Sequence, residues 1–547
     1  MVQVQMSRRA LLRGLSGGMV AGLLPAGGAM ALGLDQAGFR QGLIEAIGDD
    51  ATLRSFYGAR DYQALWAGTE DTAVQRRNAL LAAMADAPAH GLPASLFDPY
   101  DLLAKMHAAA TPQAQGTAEA ALSRAAVSLG QALHGGFLTP GRVISLIKRQ
   151  APQVDGVALL NAMTSQSAGA VLRALTPSDA QYAGLMRARA QLDAAEAAGG
   201  WGGEVFAGAA GKLQLGDQGD AVLSLRNRLM LQGYMAPSLS PVFDQSLLLG
   251  VQAFQTAHGL ATDGVVGAGT LAELNMGIDA RIQQVLVAME RARWSNKPLG
   301  ARHIWVNLAD YHTVIRNNGM DEFRTRSVIG ARGADRETPE FSDIMNHMVV
   351  NPSWHVPRSI VVGEYLPQLQ RNPYAVSHIN VQDGSGRAID RSLIDFNAYN
   401  ASNFPFSMRE PPSRGNALGL VKFMFPNQWN IYLHDTPSKD LFARETRAFS
   451  HGCIRLADPF DFAYQLLGPQ TSDPRGLFQR TLDTGRETRV DLEQPLPVQP
   501  QPLPVHLDYR TTVIAPSGAV TFRRDIYGRD AAIWGAMAQQ GVAARLV

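Results

Sequence analysis

The chain has 547 residues, 46% hydrophobic and 18% charged, which suits two to four folded domains; 30 prolines and 53 glycines are too few for disorder throughout. Lysine plus arginine (49) nearly equals aspartate plus glutamate (48), so no net basic field favours a nucleic-acid partner. The single cysteine, Cys453, excludes an intrachain disulfide.

Ser7-Arg8-Arg9-Ala10-Leu11-Leu12-Arg13 precedes a weakly apolar, Gly/Ala-rich run to Gly28 and the small residues Ala29-Met30-Ala31. Residues 1–31 therefore predict a twin-arginine-type signal peptide that delivers folded protein to the periplasm. An ordinary secretory signal or an uncleaved anchor is the alternative. Cleavage removes three arginines and no acids, moving the formal charge from +1 to −2. Nothing downstream offers the ~20 apolar residues of a membrane span, so none is expected in the mature chain.

Residues 32–209 predict a helical scaffold domain. Val74–Ala87 and Thr117–Leu133 carry apolar residues at three- and four-residue spacing, with breaks at His90–Pro93, Gly135-Gly136 and Gly199-Gly200. The aromatic stripe from Phe56 to Trp66 is expected in the core. Residues 210–276 predict a module of three short helices, with Asp244 and Gly267 at cap positions. Its pattern resembles the small peptidoglycan-binding domain, which implies wall-glycan targeting. Ile278–Trp294 predicts an amphipathic helix within a linking segment, 277–299, that packs on the scaffold.

From residue 300 the pattern changes to period-two runs bounded by turns, as at Ile304–Leu308, Thr313–Arg316 and Ser327–Gly330. Gly419–Phe425 and Trp429–Leu433 predict a further strand pair. The turn-rich stretch before this pair, about 355–415, is too long for a simple loop and predicts an inserted lid subdomain. Gln494–Pro504 predicts an extended crossing segment. Val505–Ile514 and Gly518–Arg523 predict strands that close the β-domain, taken to run over 300–547.

The chemistry concentrates in Ile431-Tyr432-Leu433-His434-Asp435 and Ser450-His451-Gly452-Cys453-Ile454-Arg455. A thiol with an ordinary pKa of about 8.5 is only a few per cent thiolate near neutrality and needs a base or a positive field. A strand through Trp429–His434 would put Asn430, Tyr432 and His434 on one face and Trp429, Ile431 and Leu433 in the core. His434 is the candidate base, since His451 lies only two residues from the thiol. Asp458-Pro459 predict a helix start just past Cys453, with the Gly452 and Cys453 N–H groups as oxyanion donors.

His434, a spacer of 15 residues and Ser450-His451-Gly452-Cys453 resemble the signature of the L,D-transpeptidase (YkuD-type) catalytic domain. The upstream module, helical scaffold and long insertion resemble the YcbB-like subgroup. Arg455, where the commonest family pattern has Asn, also resembles that subgroup. The resemblance implies a β-sandwich catalytic domain with Cys453 as nucleophile, His434 as base and the Asp435 carbonyl as the group orienting the imidazole. It also implies peptidoglycan stem peptides and glycan as partners. Gly452, His451, Asp435 and Tyr432 are the oxyanion and orienting candidates; Arg455, Ser450 and Asn430 are the substrate-binding candidates. The expected reaction expels D-alanine from a tetrapeptide stem and passes the acyl group to a neighbouring stem amine, giving 3-3 cross-links. It requires no metal or organic cofactor, and the thiol is an expected carbapenem target. The alternatives are water or a free D-amino acid as acceptor, ligation to an outer-membrane protein, and a non-catalytic wall-binding scaffold. The expected fold class is thus multidomain α+β.

Overall fold

The computed structural model describes residues 36–333, 335–492 and 503–544. The expected signal peptide and most of the expected crossing segment Gln494–Pro504 lie outside these residues. The chain forms two units, one of residues up to Ser145, 149–297 and from Thr511, the other of 146–148 and 298–510.

In the first unit, helix Gln36–Ile47 lies along helix Pro112–Gly135 at glycine contacts: a Cβ on Gly42 would stand 2.0 Å from the Gln113 carbonyl oxygen. The aromatic stripe is core, as expected. Tyr57 and Trp66 are fully buried, and the Tyr57 hydroxyl and the Trp66 indole N–H both bond Ser123 Oγ, at 2.6 and 2.8 Å. Helices Asp220–Leu231, Gln245–Ala257 and Ala268–Leu274 enclose a separate core of Val222, Leu229, Leu247 and Phe254. Asp244 caps the second of these through the Leu247 N–H (2.9 Å) and pairs with buried Arg226 (2.9 Å).

Two expectations fail here. Helix Ile278–Trp294 is not one-sided: every residue from Val285 to Trp294 is buried, including Glu290, Arg291 and Arg293. Its charges survive burial because they are paired. Glu290 accepts from Arg293 (2.6 Å), the Trp294 indole (2.9 Å) and the Phe137 and Leu138 N–H groups (3.0 Å each). The second failure is the β-domain boundary. Strands Thr512–Ile514 and Val520–Phe522 form their own hairpin in the first unit, where Gln181 bonds the Ile514 backbone in both directions. Residues 511–544 therefore leave the β-domain expected over 300–547.

The second unit is built on strands β1 (Arg302–Asn307), β2 (His312–Asn317), β3 (Met320–Gly330), β4 (Phe341–Met345), β5 (His347–Val350), β6 (Trp354–His355), β7 (Asn380–Gln382), β8 (Ser407–Glu410), β9 (Val421–Met424), β10 (Leu433–His434), β11 (Ala448–Ser450), β12 (Ile454–Leu456), β13 (Thr488–Asp491) and β14 (Leu503–Asp508). Eleven of them link in the order β13-β5-β9-β10-β12-β3-β2-β1-β14-β4, with β11 also against β3. The eleven-residue β3 serves both halves of this sheet: its first part pairs with β2 and its last residues with β12 and β11. The halves face each other across aromatic contacts, Phe341 of β4 lying 4.5 Å from Trp429 and 6.1 Å from Phe425. The insertion is a subdomain with its own three-stranded sheet, β6-β8-β7, and its own core of Val361, Leu369, Val381, Phe396 and Met408.

Candidate active site

The predicted strand from Trp429 does not form; only Leu433 and His434 pair as β10. The cause is Asn427, a side chain suited to local turns. Its Oδ1 accepts the Trp429 and Ile431 N–H groups (3.1 and 3.2 Å), and its Nδ2 donates to the Phe425 and Ile431 carbonyls (2.7 and 2.8 Å). The loop passes through Asn430 in the left-handed region (φ 54). Asn430 thus leaves the strand face assigned to it, and it is the Asn430 carbonyl that meets the site. Ile431 and Leu433 are buried, as expected of the core face.

Short as it is, β10 sets the site. It pairs antiparallel with β9 and parallel with β12, so that Lys422, His434 and Arg455 stand in one cross-strand row. One step back, the Ile454 N–H donates to the Tyr432 carbonyl (3.1 Å), which brings Cys453 beside Tyr432. The nucleophile candidate therefore precedes a strand. The helix Pro459–Leu467 begins only after β12, so its N-terminus does not face the thiol as the sequence reading supposed.

The Cys453 thiol is half-buried and donates to the Asn430 carbonyl at 3.5 Å. The Tyr432 hydroxyl and N–H both bond the sulfur, and the Trp354 side chain bonds the same hydroxyl. Burial pushes the thiol up to about 11. The Tyr432 bonds and the charges of Arg455 and Lys422 pull the other way without prevailing. His434 is buried, and its Nδ1 meets the Asp435 carbonyl at 2.5 Å, the contact expected from the sequence. Donation from Nδ1 leaves the lone pair of the neutral ring on Nε2. Burial first, then Arg455, pushes the imidazole down to about 3, so the ring is neutral near pH 7. The Asp435 carboxylate is occupied elsewhere, by Lys439 (2.6 Å) and the Leu420 N–H (2.9 Å).

The turn before the thiol reassigns three expected roles. Ser450 is buried, accepts the Gly452 N–H (3.1 Å) and donates to the Cys453 carbonyl (2.5 Å). It closes the turn, and its one hydroxyl hydrogen is no longer available to donate to substrate. The Gly452 N–H is consumed by that contact, so Gly452 is not an oxyanion donor. Its φ of 109 and its carbonyl's bond from Thr338 (2.7 Å) make it the pivot of the turn. The His451 ring turns away from the thiol, its Nε2 lying 2.6 Å from Glu364 Oε1 in the insertion. Among the described residues no acceptor faces the Cys453 N–H, which stays a candidate oxyanion donor.

Sequence reading missed Lys422, Trp354 and Glu364. For Lys422 the signal was present: it is the polar member between Val421 and Phe423 in a strand whose partner carries His434. Trp354 and Glu364 lie 99 and 89 residues before Cys453, and only the folded insertion brings them near.

Comparison with known proteins gives the site its setting. Residues 301–490 match the family described as the L,D-transpeptidase catalytic domain (YkuD), residues 51–188 match a "Scaffold domain", and residues 218–274 match a "Putative peptidoglycan binding domain". A Haemophilus influenzae protein named "Putative L,D-transpeptidase" is 30% identical over 229 residues, covering 42% of this chain and 44% of its own length. A protein of Kitasatospora aureofaciens with no described role is 43% identical over 60 residues, which are 11% of this chain and 51% of its own. The chain thus spans about half or less of each of these relatives. The solved L,D-transpeptidase of Xylanimonas cellulosilytica is 16% identical and covers 54% of this chain and 97% of its own, at a TM-score of 0.16. Cys453, His434 and Arg455 all fall inside the 301–490 match, and this chain carries an L,D-transpeptidase catalytic domain of the YkuD type together with a peptidoglycan-binding domain.

Proposed function

We propose that the protein is a peptidoglycan L,D-transpeptidase of the YcbB-like kind, acting in the periplasm after twin-arginine export, with Cys453 as nucleophile and His434 as base. The observation that carries this reading is a lone half-buried thiol bonded by Tyr432, whose ring lies 5.7 Å from that of His434, an imidazole with its Nδ1 anchored on the Asp435 carbonyl.

In the resting site thiol and imidazole are both neutral, since burial opposes charge on each. Proton transfer therefore accompanies attack. Rotation about the Cys453 Cα–Cβ bond takes the S–H from the Asn430 carbonyl to Nε2 of His434 as sulfur adds to the carbonyl of the third stem residue. The oxyanion meets the Cys453 N–H and the Tyr432 hydroxyl, whose own oxygen is held by Trp354. His434 returns the proton to the departing D-alanine amine, leaving a thioester. A side-chain amine of a neighbouring stem resolves it into a 3-3 cross-link. The insertion, joined to the catalytic turn through His451 and Glu364, screens the thioester from water. The peptidoglycan-binding domain holds the enzyme on its polymer.

The test is incubation of the protein and a Cys453→Ala variant with purified tetrapeptide muropeptides, read by mass spectrometry. Dimers lacking one terminal D-alanine, absent with the variant, are the expected products. Tripeptides alone would mean carboxypeptidation, exchanged termini D-amino-acid transfer, and no Cys453-dependent product a wall-binding scaffold. A carbapenem should add its mass to the wild type and not to the variant.

A further inference from the structure

Where the chain passes from β3 to β4 it crosses the turn before Cys453, and the polar groups at the crossing form one continuous line. Gly330, the last residue of β3, donates its N–H to Thr338 Oγ1 at 2.9 Å, and Thr338 donates its hydroxyl hydrogen to the Gly452 carbonyl at 2.7 Å. Thr338 is fully buried and closed to solvent. The approach is tight, since a Cβ on Gly330 would stand 2.0 Å from the Arg336 carbonyl oxygen.

The Ser450 hydroxyl holds the groups on either side of this contact, the Gly452 N–H at 3.1 Å and the Cys453 carbonyl at 2.5 Å. Three of the four backbone polar groups of Gly452 and Cys453 are thus committed. The fourth, the Cys453 N–H, belongs to the same peptide unit as the carbonyl that Thr338 grips. A trans peptide is planar and carries its C=O and N–H on opposite sides, so fixing the carbonyl fixes the direction of the N–H. The same bond strengthens that N–H as a donor, because a carbonyl that accepts a hydrogen bond draws electrons from its own amide nitrogen. In chains of hydrogen bonds the gain is about 10–30% per bond.

We infer that Thr338 is the positioning residue of the oxyanion site, aiming the Cys453 N–H at the developing oxyanion and raising its donor strength through the Gly452–Cys453 peptide. The inference rests on the transpeptidase reading and deepens it, since an acyl carbonyl must meet Cys453 for an oxyanion to form. Without the hydroxyl, the Gly452 carbonyl loses its partner in a dry interior, and the peptide can rotate toward whatever satisfies it. The loss belongs to the step in which negative charge grows on a carbonyl oxygen. A reaction of the same sulfur that forms no oxyanion escapes it.

The experiment compares two reactions of Cys453 in wild type, Thr338→Val and Thr338→Ser, each followed by intact-protein mass. One is acylation by a tetrapeptide muropeptide, which passes through a tetrahedral oxyanion. The other is alkylation by iodoacetamide, a displacement at saturated carbon that needs no oxyanion donor. Thr338→Val keeps the branched shape and deletes the hydroxyl. It should slow acylation about 10- to 100-fold, less than outright deletion of an oxyanion donor, while alkylation stays within about twofold of wild type. Thr338→Ser keeps the hydroxyl and should restore acylation to within about threefold. Thr338→Ala gives the same comparison if Thr338→Val does not fold. Acylation and alkylation falling together would mean that Thr338 only holds the turn. That result, an unchanged acylation rate, or a Ser variant no better than Val would overturn the inference. Failure of the transpeptidase reading looks different: wild type alkylates at Cys453 yet forms no thioester with the muropeptide.

Discussion

Cys453 and His434 are tuned in opposite senses by one cause, exclusion from water. The Cys453 thiolate is disfavoured, so alkylation by iodoacetamide should keep rising with pH to about 11 instead of levelling near 9. Tyr432→Phe deletes a hydroxyl that bonds the sulfur and favours the thiolate. It should slow alkylation at every pH below the plateau and move the midpoint higher. A variant profile levelling at the lower pH would count against that bond. His434 gives a stability signature. Its folded value is about 3, whereas an unfolded imidazole takes its proton near 6.5. Between those limits the unfolded chain binds more protons, so the folded state loses stability as pH falls from 6.5. His434→Gln, which never ionises, should lose less denaturation midpoint than wild type between pH 7 and 4.5. At this scale the sequence singled out Cys453 and His434 as candidates, because the proposed chemistry needs a thiol and a base and the chain has one cysteine. The roles of Ser450, Gly452 and His451 were not legible. A motif names residues without saying which hydrogen bonds they have already spent, and Ser450 spends both of its own on the turn.

Elements were legible where periodicity governs and illegible where a side chain competes with the backbone. The strands around Ile304 and Val314 and the helices around Leu80 and Leu129 follow their apolar spacing into buried positions. Asn427 overrode that spacing by capturing the N–H and carbonyl groups a longer β10 would have used. Helix Ile278–Trp294 misled for a different reason, since its charged residues are buried in pairs and charge ceased to mark the solvent side. Removing one partner there is costly. Glu290→Ala strands the Arg293 guanidinium and two backbone N–H groups in a dry interior, and should lower stability by about 3–5 kcal/mol, read as a shift in chemical denaturation. Glu290→Gln keeps the acceptor for those N–H groups and should lose less. A near-neutral Glu290→Ala would mean that the pair does not hold the helix. On the catalytic turn, Gly452→Ala places a Cβ at a φ of 109 and 3.1 Å from Ile431 Cδ1. The strain is about 1–3 kcal/mol and falls on the residue before the proposed nucleophile, so acylation should suffer more than the melting temperature.

Across the whole molecule the chain passes between its two units near residues 146–148, 298 and 510, and sequence alone located only the middle crossing. Strand periodicity beyond residue 511 is real, but it says nothing about which sheet a strand joins. A two-stranded hairpin is satisfied by its own ladder and by any apolar face that covers it. Here Gln181 holds the Ile514 backbone, and Asp530 accepts from buried Arg291 at 3.0 Å and from Thr511, all within the first unit. The C-terminal helix Arg529–Gln539 adds buried Ile533 and Met537 to the same unit. A stop after Arg510 therefore removes nothing from the sheet of the second unit, whose last strand is β14, yet it takes the Asp530 carboxylate from Arg291 and uncovers apolar surface in the first unit. Such a truncation should lower the unfolding temperature of the first unit while the second still acylates at Cys453, a separation visible as a split calorimetric transition in which only the later peak shifts upward with a bound carbapenem. If the truncated chain instead lost acylation in step with its first transition, residues 511–544 would be acting on the catalytic sheet after all, and the division of the chain at residue 510 would not be a thermodynamic one.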